Sequence, residues 1–292
     1  MQILFHLGAH CTDDGLLIRS ILRNRARLAE EGIVVPGPGR YRELIGDVST
    51  KLRGAPASAE TETLLIETIR DDESADRIVL SSENFLCRDK VALGPDGLYP
   101  KADKAAWLRA CFPSHEVGFA LAVRNPATFI PDLVARHAET PEARGAALAG
   151  VALEQLLWSD VVARIAGAVP GAPITVWCHE DTPFLWSEIM RDLTQHDPFT
   201  ALDGALDMAE RIITPDGLSR LSEFLSTRAD LTENRRRTAI AAFLEAHAVS
   251  EAVETVIDIP GWTEETVADL TELYEMDVAR IRTIPGVTFL EA

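Results

Sequence analysis

The stretch that decides the fold is QILFHLGAHCTDDGLLIRSIL at residues 2–22. It opens with the run QILFHL, which does not alternate regularly with polar residues and is therefore typical of a strand buried on both faces. A turn containing Gly8 and Gly15 follows, and a helix-like stretch begins at Leu16. A strand, a glycine-containing turn and a helix predict the opening unit of a parallel α/β sheet.

The same alternation continues along the chain. Further strands are predicted at Ile33–Val35, Arg77–Ser81, Val117–Val123, Ile174–Cys178 and Val287–Leu290. Helices are predicted at Leu16–Glu31, Ala59–Asp71, Lys101–Cys111, Ala127–His137, Ala143–Ala168, Phe184–Gln195 and Thr263–Thr283. The expected fold class is α/β, a three-layer parallel sheet with helices on both faces.

One region departs from this alternation. From about residue 197 only helix-like stretches occur, with breaks at Pro198, Pro215 and Gly217. We predict a single domain over residues 1–292, with an α/β core at about 1–196 and 259–292 and a helical addition at about 197–258. At roughly 150 residues per domain, the length also allows two small domains, but no low-complexity linker divides the chain.

The composition excludes several classes of partner. The chain has 28 Lys and Arg against 46 Asp and Glu in 292 residues, a formal net charge of −18. This charge repels phosphodiester backbones and anionic headgroups, so we expect no nucleic acid and no membrane as partner. From these patterns we expect neither a signal peptide nor a membrane span, and the four cysteines form no CxxC pair. We expect a cytoplasmic protein.

The turn after the first strand, GAHCTDDG at residues 8–15, is the first place to look for chemistry. In an open parallel sheet, ligands bind at the carboxyl ends of the strands. The turn has the frame of a phosphate cradle, in which backbone N–H groups face an anion. A Walker A loop that starts at Gly8 would need its second glycine at position 13, where Asp13 stands, followed by a lysine. The turn is not an ATPase loop.

Four segments together resemble bacterial sulfotransferase-like proteins. FHLGAHCTDDGLLIRSILRNRARLAEEGIVVPG at residues 5–37 is similar to that family's opening, which runs H-x-G-x-H-K-T-G-T-T-S-L-Q before a helix. RIVLSSENF at 77–85 resembles its S-S-E strand end, and VRNPATFIPDLVAR at 123–136 resembles its R-x-P-x-x-x-x-x-S segment. LTELYEMDVARIRTIPGVTFL at 270–290 resembles its closing Y-x-x-D helix and strand. The resemblance implies a P-loop sulfotransferase fold and the cofactor 3′-phosphoadenosine-5′-phosphosulfate, PAPS.

By this resemblance, the cofactor-binding positions are Cys11, Thr12, Asp13, Asp14 and Gly15 in the loop, with Arg124 and Asp132 at the 3′-phosphate. This chain departs from the family there, since Cys11 replaces the loop lysine, Asp13-Asp14 replaces Gly-Thr, and Asp132 replaces a serine. One adverse unit pair costs roughly 4 kcal/mol at about 4 Å and an effective dielectric near 20. One cation fewer and three anions more therefore predict that ordinary use of PAPS is lost.

Glu83 and His10 are the catalytic candidates. Glu83 follows the strand RIVLS and resembles the carboxylate that family members use as a base for an acceptor hydroxyl. The alternative for Glu83 is a capping or loop carboxylate. Cys11, next to His10, is either a thiolate activated by the following helix or a small packed side chain. Arg124 has Asp132 or Asp13 as candidate ion-pair partner.

The acidic loop also allows a metal-site hypothesis. His10, Asp13, Asp14 and Glu83 have the ligand types for Mg²⁺, Ca²⁺ or Mn²⁺ if the fold brings them together. Without a metal, Asp13 or Asp14 caps the first helix. The run Cys178–Asp181 is interpreted as a solvated strand end instead of a ligand set.

Three functions follow from these patterns. The first is a diverged sulfotransferase-like protein that cannot use PAPS and whose remaining cleft binds an unknown small molecule or a protein partner. The second is an active PAPS-dependent sulfotransferase acting on a small-molecule or carbohydrate hydroxyl, with Glu83 as base and Arg124 on the 3′-phosphate. The third is a divalent-metal site in the first loop.

Overall fold

The computed structural model describes residues 1–70, 74–95, 97–228 and 231–292. Its strands are β1 (Gln2–His6), β2 (Ile33–Val34), β3 (Arg77–Ser81), β4 (Leu93–Gly94), β5 (Gly97–Leu98), β6 (Glu116–Val123), β7 (Ile174–Cys178) and β8 (Val287–Leu290). The helices in the first half are α1 (Leu16–Leu22), α2 (Arg25–Ala29), α3 (Arg42–Leu52), α4 (Ala59–Arg70), α5 (Ala105–Ala110), α6 (Pro126–Ala135) and α7 (Pro141–Ala147). Those in the second half are α8 (Trp158–Ala168), α9 (Thr182–Thr194), α10 (Asp207–Glu210), α11 (Pro215–Ser226), α12 (Glu233–His247), α13 (Ser250–Val253) and α14 (Glu264–Ile281).

Six of the strands form one parallel sheet in the order β2-β3-β1-β6-β7-β8. The chain first builds the β3 side of β1 and then crosses to the β6 side. This reversal makes the carboxyl end of β1 a topological switch point, the position where open α/β sheets bind ligands. The strands β4 and β5 form a separate antiparallel pair.

The sheet is covered on both faces. In β1, Ile3 and Phe5 pack into one apolar core, whereas Leu4 packs into the other. Burial on both faces explains why the strands are apolar throughout instead of alternating. The predicted class, a three-layer α/β parallel sheet, is confirmed. A third and smaller core, formed by Ile213, Leu221, Ile240 and Leu244, lies within the predicted helical addition.

The first predicted helix, Leu16–Glu31, is wrong as a single element, since it is divided into α1 and α2 at Asn24. The Asn24 side chain donates to the Ser20 carbonyl at 2.9 Å and to the Asp203 carbonyl at 3.0 Å, and it accepts the Asp203 N–H. Side chains of this type compete with helical hydrogen bonds. Asn24 thereby ends α1 and ties it to a segment far along the chain.

The predicted helix Ala143–Ala168 is also wrong as one element, because α7 ends at Ala147 and α8 starts only at Trp158. Gly150 lies between them with φ +82°, a backbone conformation that a right-handed helix cannot contain. The prediction for Ala59–Asp71 is confirmed as far as Arg70, while Asp71 lies outside the described residues.

Helix α3 has no counterpart in the sequence-based prediction, although it carries the buried residues Ile45 and Ser49. The start of α14 is confirmed, since the Thr263 hydroxyl accepts the Thr266 N–H and the Thr266 hydroxyl accepts the Thr263 N–H. Within the described ranges, none of the helices combines the length and apolarity needed to cross a bilayer.

Candidate functional site

Three segments meet at the carboxyl edge of the sheet. The loop at residues 8–15 follows the central strand β1, Glu83 lies just beyond β3, and Arg124 directly follows β6. Because β3 and β6 are the two neighbours of β1, these segments lie side by side. The strand order places these segments at one common edge, while the roles assigned to their side chains stay predictions.

Gly8 allows the loop to pass close to the end of β3. Its φ is +99°, and a Cβ at this position would lie 3.2 Å from the Cα of Glu83. A side chain here would be both strained and too close to backbone, so glycine is required. Cys11 and Asp14 also have left-handed φ values, of 54° and 50°. The loop is a tightly wound turn.

The loop is closed by hydrogen bonds of its own. The Thr12 hydroxyl donates to the Ala9 carbonyl at 2.7 Å, and both side chains are buried. The Asp13 carboxylate accepts the backbone N–H of Leu17 at 2.9 Å, and the Asp13 carbonyl accepts the N–H of Leu16. Asp13 therefore caps the start of α1, as expected for this loop in the absence of a metal.

Three arginines donate to backbone carbonyls of this loop. Arg124 donates to the carbonyl of Cys11 at 2.5 Å, Arg19 to that of Asp14 at 3.1 Å, and Arg211 to that of Asp13 at 3.3 Å. A phosphate cradle works in the opposite sense, with backbone N–H groups as donors to an anion. Here the guanidinium groups bind the loop itself.

Arg124 has a partner at every nitrogen of its guanidinium group. Besides the Cys11 carbonyl, its Nη2 pairs with Asp132 at 2.6 Å and its Nε donates to the Thr128 hydroxyl at 3.2 Å. The side chain is only 10 % exposed. Of the two candidate partners from the sequence, Asp132 is the one that forms the ion pair. The fold thus brings Arg124 and Asp132 together as an ion pair, and not as two separate ligands of a 3′-phosphate.

Arg136, which sequence reasoning missed, bridges the loop and the end of β3. Its Nη2 pairs with Asp14 at 2.7 Å and its Nη1 with Glu83 at 3.4 Å. The predicted base Glu83 is therefore held by a guanidinium that an acceptor hydroxyl would have to share or displace. Arg136 follows the end of α6, and no local pattern links it to Asp14, which lies 122 residues earlier.

His10 is completely buried and makes a structural contact. Its backbone N–H donates to the Tyr99 hydroxyl at 2.9 Å, and its Nδ1 lies 2.6 Å from the same oxygen. Because the Tyr99 oxygen already accepts the backbone N–H, we assign its O–H as the donor to Nδ1. The imidazole proton then lies on Nε2, which faces Asn84 Oδ1 at 3.4 Å. Burial lowers the pKa of His10, so the ring stays neutral. The catalytic role predicted for His10 gains no support from this geometry.

Cys11 is a buried thiol. Burial raises the pKa of Cys11 to about 12, so it is protonated at neutral pH. Of the two alternatives for this residue, the small packed side chain describes it and the activated thiolate does not.

The metal-site hypothesis needs four side chains to converge, and they do not. His10 contacts Tyr99, Asp13 caps α1, and Asp14 and Glu83 both face Arg136. In the part of the chain that the structure describes, no group of three or more His, Cys, Asp and Glu side chains is arranged to hold a metal ion.

A cavity of about 360 Å³ lies beside the loop, between the ends of β1 and β3 and the start of α3. His6 lines it, with Nδ1 at 2.9 Å from the Ser81 hydroxyl and with Nε2 buried and lacking a protein partner. Sequence reasoning missed His6. The signal was present, since His6 interrupts an otherwise apolar run in the first strand.

His179 was also missed, because the run Cys178–Asp181 had been interpreted as solvated. Cys178 is buried, and the Glu180 carboxylate accepts both the Asn125 N–H at 2.8 Å and the Tyr274 hydroxyl at 3.0 Å. Burial, followed by the charge of Arg124, lowers the pKa of His179 to about 4. The interpretation of this strand end as solvated holds for Glu180, which is exposed, but not for Cys178, which is buried, while His179 and Asp181 are half-buried.

The charge count made from the sequence is incomplete. It included Arg124 and the carboxylates near the loop, but the fold adds guanidinium groups from Arg19, Arg136 and Arg211. A general repulsion of anions is therefore much reduced at this edge. What separates the loop from an anion cradle is that Arg124 and Arg136 already pair with carboxylates.

No protein-family model matches this chain, and no curated protein matches it significantly in sequence. Among solved structures, the crystal structure of a sulfotransferase from Alicyclobacillus acidocaldarius is similar to it, with 16% sequence identity and a TM-score of 0.39. The alignment covers 83% of this chain and 94% of that chain.

Proposed function

We propose that this chain is a diverged sulfotransferase-like protein that does not use PAPS in the ordinary way and whose cleft at the end of β1 binds another small molecule or a protein partner. The four motif segments in their order along the chain support the family assignment. The parallel sheet with a loop at its switch point is compatible with it.

The observation that best supports the loss of the cofactor is that every guanidinium nitrogen of Arg124 already has a protein partner. A guanidinium that holds a 3′-phosphate must turn its N–H donors toward it, but here Nη1, Nη2 and Nε are each engaged, with Cys11, Asp132 and Thr128, and these contacts take three of the five N–H groups. Binding a phosphate would break the ion pair with Asp132 and bring that carboxylate close to the phosphate. Both effects oppose binding.

The remaining residues do not fit the cofactor either. The position of the loop lysine is occupied by the buried thiol of Cys11, which carries no positive charge. The carboxylate of Asp14 pairs with Arg136, so the charge of this guanidinium is offset instead of being left for a sulfonate. We therefore derive no reaction step through PAPS.

The second candidate function, an active sulfotransferase, is favoured by one observation. Glu83 and Arg124 lie at the ends of the two strands that flank β1, where a base and a phosphate ligand would be needed. In that function Arg136 must release Glu83 and Asp132 must release Arg124 when substrates bind. The two candidates therefore differ in whether the nucleotide opens these ion pairs.

Titration calorimetry with 3′-phosphoadenosine 5′-phosphate distinguishes them. We expect no binding by the natural chain at micromolar concentrations, and we expect Asp132→Ser, which frees Arg124, to bind more tightly than the natural chain but still weakly, because Cys11 still occupies the position of the loop lysine. Asp269→Ser on α14 removes the same charge from an exposed position and serves as the control. A micromolar dissociation constant for the natural chain would overturn the proposal and favour the active enzyme.

A further inference from the structure

The cavity beside the loop has charges of both signs on its wall. Its lining includes His6, Asp13, Asp14, Arg19, Arg42 and Glu83. At about 360 Å³ it has the size of a small-molecule site. Asp14 and Glu83 are already paired with Arg136. The other charged groups on this wall are therefore the ones available to a ligand.

Two guanidinium groups are held in place without a carboxylate partner. Arg42 donates from Nε to the Ser81 carbonyl at 3.0 Å, and Arg19 donates from Nη1 to the Asp14 carbonyl at 3.1 Å. In the described ranges, no carboxylate lies within ion-pair distance of either one. Each guanidinium has donors left over, which is the arrangement that recognises a planar anion.

Asp13 supplies the opposite charge. Its residue is 8 % exposed, and one carboxylate oxygen accepts the Leu17 N–H, which leaves the other oxygen without a guanidinium or ammonium partner among the described residues. A carboxylate this well buried is costly unless it is paired. A cationic group in the cavity would provide the missing partner.

His6 connects these two sides at the base of the cavity. The residue is 2 % exposed, its ring stacks on Trp177, and its Nε2 lacks a hydrogen-bond partner. Asp13 and Arg42 are the charged groups that act most strongly on this imidazole, and both line the same cavity. An unpaired buried nitrogen destabilises the fold, and a ligand with a hydroxyl or a carboxylate oxygen would supply the missing hydrogen bond.

We propose that this cavity binds a small zwitterion, an amino-carboxylate whose carboxylate pairs with Arg42 and Arg19 and whose ammonium group pairs with Asp13, with His6 as partner of a further polar atom. The assignment rests on the proposed function, since it names the ligand of a cleft that has lost its nucleotide. A purely anionic ligand would leave Asp13 unpaired, and a purely cationic one would leave both guanidinium groups unpaired. Only a ligand with both charges matches the whole wall.

L-serine is a suitable probe, because each of its groups can be removed in turn. Ethanolamine lacks the carboxylate, 3-hydroxypropionate lacks the ammonium group, and L-alanine lacks the hydroxyl that would reach His6. By titration calorimetry we expect L-serine to bind and both singly charged analogues to bind about tenfold more weakly or not at all. We expect L-alanine to bind more weakly than L-serine but more tightly than the two singly charged analogues.

Arg42→Gln is the matching change in the protein and should weaken L-serine binding by about tenfold. Arg88→Gln is its control, since Arg88 is an exposed arginine that lines the neighbouring groove but not this cavity. Absence of L-serine binding, or equal binding of L-serine and ethanolamine, would overturn the assignment. Binding of 3′-phosphoadenosine 5′-phosphate would instead overturn the proposed function, so the two failures are distinguishable.

Discussion

The two sides of the loop after β1 hold their arginines in opposite ways. On the β6 side, Arg124 is 10 % exposed, has a partner for every guanidinium nitrogen and lies near enough to the half-buried His179 to lower its pKa. On the cavity side, Arg136 is 28 % exposed and bridges two carboxylates that face solvent. The first arrangement holds its guanidinium in one position, and we call it a lock. The second is an exposed bridge that a ligand could rearrange.

This difference shows where function can remain in a loop that no longer resembles an anion cradle. A buried ion pair is costly to break because each freed charge loses its partner in a low-dielectric site. An exposed bridge is worth little, because water solvates its charges when they separate. The β6 side is therefore fixed, and the cavity side is free to accept a ligand.

The largest expected effect is that of Arg124→Met. The change leaves the buried carbonyl of Cys11 and the carboxylate of Asp132 without their donor. Asp132 is 43 % exposed and recovers part of its hydration, so we expect a loss of roughly 2–4 kcal/mol in the free energy of unfolding, measured by urea denaturation.

The control for this prediction is Arg220→Met on α11. Arg220 also pairs with an aspartate, Asp216 at 3.0 Å, but both side chains are more than 60 % exposed. We expect a loss of less than about 0.5 kcal/mol. Equal losses for the two variants would mean that Arg124 is not a lock, and the contrast between the two sides of the loop would disappear.

These partnerships also mark the limit of what the sequence predicts. The position of Glu83 and Arg124 at one edge follows from strands that are read directly as apolar runs and from the parallel connections between them. The positions of Arg136 and Arg211 do not, since they lie 122 and 198 residues from the loop residues they contact. Such contacts depend on how helices pack, which local periodicity does not encode.

His6 and Tyr99 illustrate the same limit at shorter range. A histidine inside an apolar strand was visible in QILFHL, but its orphan nitrogen follows only from the side chains around it. The role of His10 is fixed by Tyr99, a residue 89 positions later that directly follows the short strand β5. The sequence therefore predicts that the loop is acidic and has no lysine. It does not predict which distant side chains contact the loop.

The next largest effect is on the pH dependence of the free energy of unfolding, and it tests the β6 side of the loop again. The pKa of His179 is lowered to about 4 by burial and then by Arg124, against 6.5 for an unperturbed histidine. Because the folded-state pKa is the lower one, the unfolded chain binds the proton first as the pH falls. The free energy of unfolding therefore decreases from about pH 6.5 to about pH 4, by up to roughly 3 kcal/mol from this residue.

His179→Gln removes this contribution to the pH dependence of the free energy of unfolding. Urea denaturation at neutral pH and near pH 4.5 should show a pH-dependent loss that is roughly 2–3 kcal/mol smaller in the variant than in the natural chain. Burial also lowers the pKa of His6, His10 and His196, so part of the acid sensitivity should persist. An unchanged pH dependence would show that His179 is solvated, which would contradict a closed β6 side.

The smallest expected effect is that of Arg136→Gln on the cavity side. The variant loses the contacts to Asp14 at 2.7 Å and to Glu83 at 3.4 Å, but these carboxylates are 57 % and 34 % exposed and regain water. Their mutual repulsion, no longer offset by the guanidinium, adds a small cost at low ionic strength. We expect a loss of about 0.5–1 kcal/mol in the free energy of unfolding, reduced further by added salt. A loss as large as that of Arg124→Met and independent of salt would show that the bridge from Arg136 to Asp14 and Glu83 is as fixed as the contacts of Arg124, and the contrast between the two sides of the loop would disappear.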